Sequence, residues 1–292
     1  MVRLAEDPDT AVAHIPAGAC VGVGGSVNAG HPMALVRALI RLGTSELTLA
    51  GLTAGLELDM LVAAGSCRRL VAAYVGAERL VSLPPAVRWA AEEGRLEIWE
   101  NEEGVHLASL RARAQRVPYS TWVGGLGTSV MRHPLVEEAF DDRSGRAYLK
   151  VRPLEVDVAL LWAEAADADG NVLLWGADMG DEALRAAADL RVVQVERLTS
   201  TEELVRHPDR VIPWAADVVV RAPNGTHPFA GSSLDLDSEW LLEYAATVSR
   251  ARQAGDPAIL DSFLDRWIRD VEGEQGYFAL LGAHRLKRLA TA

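Results

Sequence analysis

The sequence holds only two cysteines, Cys20 and Cys67, and two lysines, Lys150 and Lys287, among 292 residues. Both cysteines lie in apolar surroundings and read as small buried hydrophobes, with nothing to suggest export and a disulfide. No CxxC pair or Cys/His cluster has metal-ligand spacing, so no metal site is expected. No stretch approaches ~18 uninterrupted apolar residues, so no segment reads as a membrane span. The opening "MVRLAEDPDTAVAHIPAG" carries acids early and lacks an apolar core, unlike a signal peptide. These absences predict a soluble, cytoplasmic protein. A basic surplus is missing too: 29 Lys and Arg stand against 41 Asp and Glu, a net charge of −12. Nucleic acid and anionic membranes are therefore disfavoured as partners. A small anion held by a few local groups and backbone N–H donors remains compatible with that charge.

What is present is apolar and periodic. Hydrophobic residues make up 49% of the chain, enough for one large core or two smaller ones. "ACVGVGG" (19–25), "ELTLAGL" (46–52), "RRLVAAYVG" (68–76) and "LEIWE" (96–100) read as strands. Between them, "PMALVRALIRLG" (32–43), "LELDMLVAAGS" (56–66) and "PPAVRWAAEEGR" (84–95) read as helices, and "GVHLASLRARAQR" (104–116) follows as another. Prolines stand at two of the starts and Gly43 and Gly94 at the ends. The second half continues with strands at 156–167, 190–198 and within 211–223, and a helix at 181–189. This alternation predicts an α/β fold: an open, mainly parallel sheet flanked by helices. The expected organisation is one α/β unit over 1–237 and a helical C-terminal extension over 238–292 packed on it.

Three short stretches carry chemistry. In "CVGVGGSVNAGHPMALVRAL" (20–39) a strand, a glycine turn and a helix start follow one another. That order can aim N–H groups at an anion, or it can be a plain tight strand–helix turn. Asn28 stands where GxGxxG needs its third glycine, and no Lys-Ser/Thr pair follows, so dinucleotides and nucleoside triphosphates are disfavoured. In "ENEEGVH", Glu100, Glu102 and Glu103 cluster between a strand and a helix. Carboxylates there favour the helix dipole, or serve as nucleophile or general base at the strand ends. "PNGTHPFAGSS" (223–233) is a turn-rich loop bearing His227, a packing residue or a pocket residue. The Asp-rich "DADGNVLLWG" lacks the terminal Glu of a calcium loop.

Taken in order, seven stretches resemble the alpha-subunit type of the family I CoA-transferases, of the glutaconate CoA-transferase kind, over nearly the whole chain. They are "GVGGSVNAGHPMALVRAL", "LELDMLVAAGSCRRLVAAYVGAE", "PPAVRWAAEEGRLEIWE", "LASLRARAQRVPYSTWVGGLGTSV", "DADGNVLLWG", "VERLTSTEEL" and "APNGTHP". The resemblance implies a separate beta-type subunit whose glutamate attacks an acyl-CoA, giving an anhydride and then a glutamyl-CoA thioester. A second carboxylate then receives the CoA. It implies coenzyme A thioester as substrate, with no permanently bound cofactor. It implies a cleft in which Gly24, Gly25, Ser26, Asn28, His31, Gly127 and His227 meet the substrate.

Two departures stand out. The family often places basic residues just before the position of Pro32, where this chain has Ala29, Gly30 and His31. Their loss speaks against a dicarboxylic substrate. The pair Glu103-Gly104 is similar to that in the alpha subunit of the actinobacterial steroid-ring-cleaving CoA-thioester hydrolases, in which Glu103 would act on the substrate directly. Three functions thus stand at this point. The chain is part of a transferase, or part of a hydrolase that cleaves a C–C bond of a cyclic substrate through Glu103, or a non-catalytic acyl-CoA-binding partner.

Overall fold

The computed structural model describes residues 2–176 and 179–291. Its strands are β1 (Arg3–Ala5), β2 (Cys20–Val23), β3 (Leu47–Ala54), β4 (Cys67–Val75), β5 (Glu97–Glu100), β6 (Ser120–Trp122) and β7 (Val136–Phe140), then β8 (Ala147–Val151), β9 (Val158–Ala166), β10 (Val172–Leu173), β11 (Leu190–Leu198), β12 (Val211–Ile212) and β13 (Val218–Arg221). The main sheet runs β1-β13-β11-β9-β2-β3-β4-β5, every pair on this path parallel. The short β10 folds back antiparallel on β9 and pairs with β12. The expected open, mainly parallel sheet flanked by helices is what the chain forms.

Successive residues of a strand face opposite ways, and each face has its own core. Val158 and Leu160 of β9 and Val21 and Val23 of β2 pack under the helices Met33–Arg41 and Leu56–Ala63. Ala159, Leu161 and Ala163 pack against Leu110 and Leu184, from the helices Glu103–Ala114 and Asp181–Ala187. All nine residues of β9 are buried, as a central parallel strand covered on both sides requires. Leu35, Leu39 and Leu160 are wholly inaccessible, each contributing roughly 1.5–3 kcal/mol of hydrophobic burial.

The segment from Ser238 onward is helical, as its spacing predicts, in Ser238–Ala254, Ala258–Leu264, Gly273–Leu281 and Ala283–Leu289. Trp240, Tyr244, Phe263, Trp267 and Tyr277 carry it into the first core. Unexpected from the sequence is a second, antiparallel sheet, β6-β8-β7, standing apart from the main one. It has a small core of its own with Val105, Ala108, Val130, Leu149 and Val151.

The connections from β2 onward lead to β3, β4 and β5 on one side. Those from β9 lead to β11 and β13 on the other. Strand order therefore reverses between β2 and β9. The carboxyl ends of strands at such a reversal leave a crevice that the crossing connections cannot fill.

Candidate active site

A cavity of about 330 Å³ opens at that crevice. The turn after β2 supplies Gly25, Ser26, Ala29 and Gly30, and the end of β9 supplies Trp162 and Glu164. Leu174, Trp175 and Gly176 follow β10, Asp181 opens its helix, and Ala230, Gly231 and Ser232 come from the loop after β13. Its walls are mostly apolar, and its charged groups among the described residues are both acidic, Glu164 and Asp181. Arg185 lines a separate hollow of about 20 Å³ that shares Trp162, Leu174 and Asp181 with the cavity.

The glycine turn does not present free donors. Gly24 N–H donates to the Leu160 carbonyl, Ser26 N–H to Ala29, Val27 N–H to Thr53 and Gly30 N–H to Ala230. Gly25 N–H meets the Asp181 carboxylate at 3.1 and 3.2 Å. The start of the following helix is closed as well. Gln194 Oε1 accepts from Ala34 N–H at 3.1 Å and Leu35 N–H at 3.4 Å. The anion cradle that the sequence order suggests is thus filled by backbone carbonyls and by two side chains from distant segments.

Glu164 is 7% exposed and its Oε2 accepts from Trp175 N–H at 2.9 Å. Burial raises its pKa, and Glu196 nearby adds to the rise, against smaller effects of the Trp175 hydrogen bond and Arg197. Glu196, outside the lining, holds Trp162 of the wall and two points of the loop after β13. Its carboxylate accepts from Trp162 Nε1 at 3.0 Å, Asn224 N–H at 2.6 Å and Ser233 Oγ at 3.1 Å.

No activated nucleophile stands in this cavity among the described residues. The Ser26 hydroxyl accepts from Thr53 Oγ1 at 3.2 Å and has no histidine beside it. Burial pushes both cysteine thiols up to about 12, far from the thiolate form.

Of the residues expected at the site, Gly25 and Ser26 line the cavity. Gly24 lies one step behind, where a Cβ would meet Leu161 at 2.7 Å and Asp181 at 2.8 Å. Gly25 has φ +100°, and a Cβ there would strike the His31 ring at 2.5 Å. The tightness of this turn thus has a cause inside the protein. Asn28 ties the turn to the cavity loop through its carbonyl, which accepts from Ala230 N–H at 2.9 Å.

The structure places both histidines expected to meet the substrate beneath the surface, outside the cavity lining. His31 is wholly buried beneath the turn, its Nδ1 3.1 Å from the Gly24 carbonyl and 3.3 Å from Glu57. Burial lowers His31 to about 4 and raises Glu57 to about 8, so both are neutral at pH 7. His227 is also wholly buried, between Tyr277 Oη at 2.7 Å and Asp237 at 3.0 Å. Its loop does reach the cavity, through Ala230, Gly231 and Ser232 instead.

Gly127 is exposed, with its N–H on Met131 Sδ at 2.9 Å, and does not line the cavity. Glu103 is exposed at the first position of its helix. The helix cap is its neighbour Glu102, which accepts from Gly104 N–H at 2.8 Å and Val105 N–H at 2.9 Å. Trp162, Glu164, Trp175 and Asp181 escaped sequence reasoning. The one local signal was Glu164, a lone carboxylate in the apolar run "VDVALLWAEAAD".

Known proteins share this architecture. The cholesterol ring-cleaving hydrolase IpdA subunit of Rhodococcus jostii is 34% identical over 257 residues, covering 81% of this chain and 84% of that protein. A glutaconate CoA-transferase subunit of Acidaminococcus fermentans is 27% identical over 301 residues, covering 96% of this chain and 92% of that one. The crystal structure of the latter organism's glutaconate coenzyme A-transferase matches with a TM-score of 0.92 at 25% identity, over 99% of this chain and 96% of that one. The family described as coenzyme A transferase matches residues 5–216, and with a fold shared from end to end the chain belongs to the coenzyme A transferase family.

Proposed function

We propose that this chain is the alpha-type subunit of a heteromeric CoA-transferase. It moves CoA between an acyl thioester and a carboxylate, with the glutamyl nucleophile on a beta-type partner in the cytoplasm. The observation that carries this reading is the cavity at the strand-order reversal, sized for an acyl group, whose two carboxylates among the described residues are engaged within the chain, Glu164 with Trp175 N–H and Asp181 with Gly25 N–H. A covalent route then needs a carboxylate from another chain. Thioester and carboxylate exchange CoA with no net change in the number of thioester bonds, so no redox partner or metal is required. The alpha chain contributes binding: Gly25, Ser26 and the tryptophan walls orient the acyl part while the partner's carboxylate attacks its carbonyl.

Two observations favour a second reading. Glu103 is exposed at its helix start, and the 34% identical relative is named a ring-cleaving hydrolase. In that case Glu103 would serve as general base toward water or substrate.

The test is to co-purify this chain with its beta-type partner and supply an acyl-CoA, first with acetate and then with water alone. Acetyl-CoA formed at the rate of acyl-CoA loss supports transfer. Loss at the same rate in water alone, with free CoA or a ring-opened thioester as product, overturns it in favour of the hydrolase.

A further inference from the structure

We infer that the cavity selects neutral, ring-sized apolar acyl groups and rejects acyl groups that end in a carboxylate. This rests on the reading of the cavity as the acyl site. It deepens that reading by naming the substrate class.

Four observations converge. The walls offer Trp162, Trp175 and Leu174 to a guest, and a volume of about 330 Å³ accommodates a substituted ring. No described cation lines the space, so a distal carboxylate would find no charge-assisted partner. The neutral His31 lies sealed beneath the turn and cannot supply one. The donor best placed for an oxyanion, Gly25 N–H, is already taken by the Asp181 carboxylate. A guest carboxylate would have to displace that carboxylate and then lie beside it.

Glu164 adds to the discrimination. Its carboxyl is 7% exposed and held by Trp175 N–H, and burial raises its pKa, so it offers an anionic guest no favourable partner. An anionic guest would bring a further negative charge against a mostly apolar wall that already holds two acidic side chains. Like charges there repel more strongly than in water.

The experiment compares cyclohexanecarboxyl-CoA with glutaryl-CoA on the co-purified complex, with acetate as acceptor. The expected kcat/KM favours the cyclohexane thioester by at least a hundredfold. Ala29→Arg puts a guanidinium at the cavity wall and should narrow that ratio at least tenfold by improving glutaryl-CoA. A wild-type complex that uses glutaryl-CoA as well or better overturns the inference and leaves the transferase reading intact. An Ala29→Arg complex that stays folded with an unchanged ratio removes the selectivity from this cavity, which also overturns it. Should neither thioester turn over, calorimetric titration of both decides. Tighter binding of the cyclohexane thioester supports the inference while the transferase reading falls, and equal or reversed affinity overturns it.

Discussion

At the level of single residues, the acidic cluster before the helix Glu103–Ala114 divides into three roles that its sequence did not separate. Glu100 accepts from Ser129 Oγ at 2.7 Å, Glu102 caps the helix, and Glu103 faces solvent. Glu102→Ala should cost about 1 kcal/mol of stability, read from urea denaturation, because two helix N–H groups lose their acceptor. Gly104 is constrained by a neighbour: a Cβ there would lie 2.1 Å from the Trp122 ring. Gly104→Ala should therefore destabilise by about 1–3 kcal/mol, although alanine is the better helix former. Glu103→Gln removes no contact and should leave stability within about 0.5 kcal/mol of the parent. For a transferase it should lower turnover by less than tenfold, whereas loss of a general base costs roughly 10²–10⁴-fold. A thousandfold fall with acyl-CoA binding intact would make Glu103 the catalytic group. Glu196→Ala releases Trp162 and the cavity loop together. It should raise KM for acyl-CoA about tenfold with a smaller effect on kcat, the mark of a positioning residue.

At the level of elements, what the sequence made legible was what local periodicity encodes. The strands and helices of the main sheet follow from apolar spacing, proline starts and glycine ends. The occupancy of the glycine turn was not legible, because Asp181 lies 156 residues from Gly25 and Gln194 lies 160 from Ala34. A pattern that looks like an anion cradle is closed only once the chain has folded. The small sheet β6-β8-β7 was missed for a related reason. Its strands are short and largely half-exposed, and they stabilise one another through pairing across the chain. The helical tail was legible as helix but not as a clamp. Arg37, 1% exposed, pairs with Glu274, donates to the His227 carbonyl at 2.6 Å and lies 3.9 Å over the Tyr277 ring. From His227 the chain of contacts runs through Asp237 to Arg285, with an N–O distance of 2.6 Å. Burial alone would raise Asp237, but hydrogen bonds from His227 and Arg285 outweigh it and hold its carboxyl well below the usual range. Removing one member leaves the others buried and uncompensated. Arg37→Ala should thus cost about 3–5 kcal/mol in denaturant unfolding.

At the level of the whole molecule, the buried titratable groups together set how stability responds to pH. Burial lowers His31, His106 and His133 from 6.5 to about 4 each, His133 adding to the shift of His106. The unfolded chain binds these three protons below pH 6.5, and the folded chain only near pH 4. Their stabilising share is therefore complete above pH 6.5 and is lost as pH falls from there toward 4. Glu57 and Asp59 oppose this. Burial raises them to about 8 and about 6, so the folded chain holds their protons where the unfolded chain has released them. Their share is complete below the ordinary carboxylate range and is lost as pH rises through about 6 for Asp59 and about 8 for Glu57. Between pH 6 and 4.5, three histidines work against two carboxyls, so the net effect of acid is destabilising. Between pH 6.5 and 8 the Glu57 effect remains, and raising pH destabilises. Tm should accordingly peak near pH 6.5 and fall on both sides. Glu57→Gln should flatten the alkaline limb and steepen the acid one, because between pH 6 and 4.5 only Asp59 is then left to oppose the three histidines. Thermal melts in a series of buffers from pH 4.5 to 9 at fixed ionic strength would test this. A Tm that climbs steadily to pH 9 would mean that Glu57 is already ionised in the folded protein at neutral pH, and would overturn the neutral Glu57.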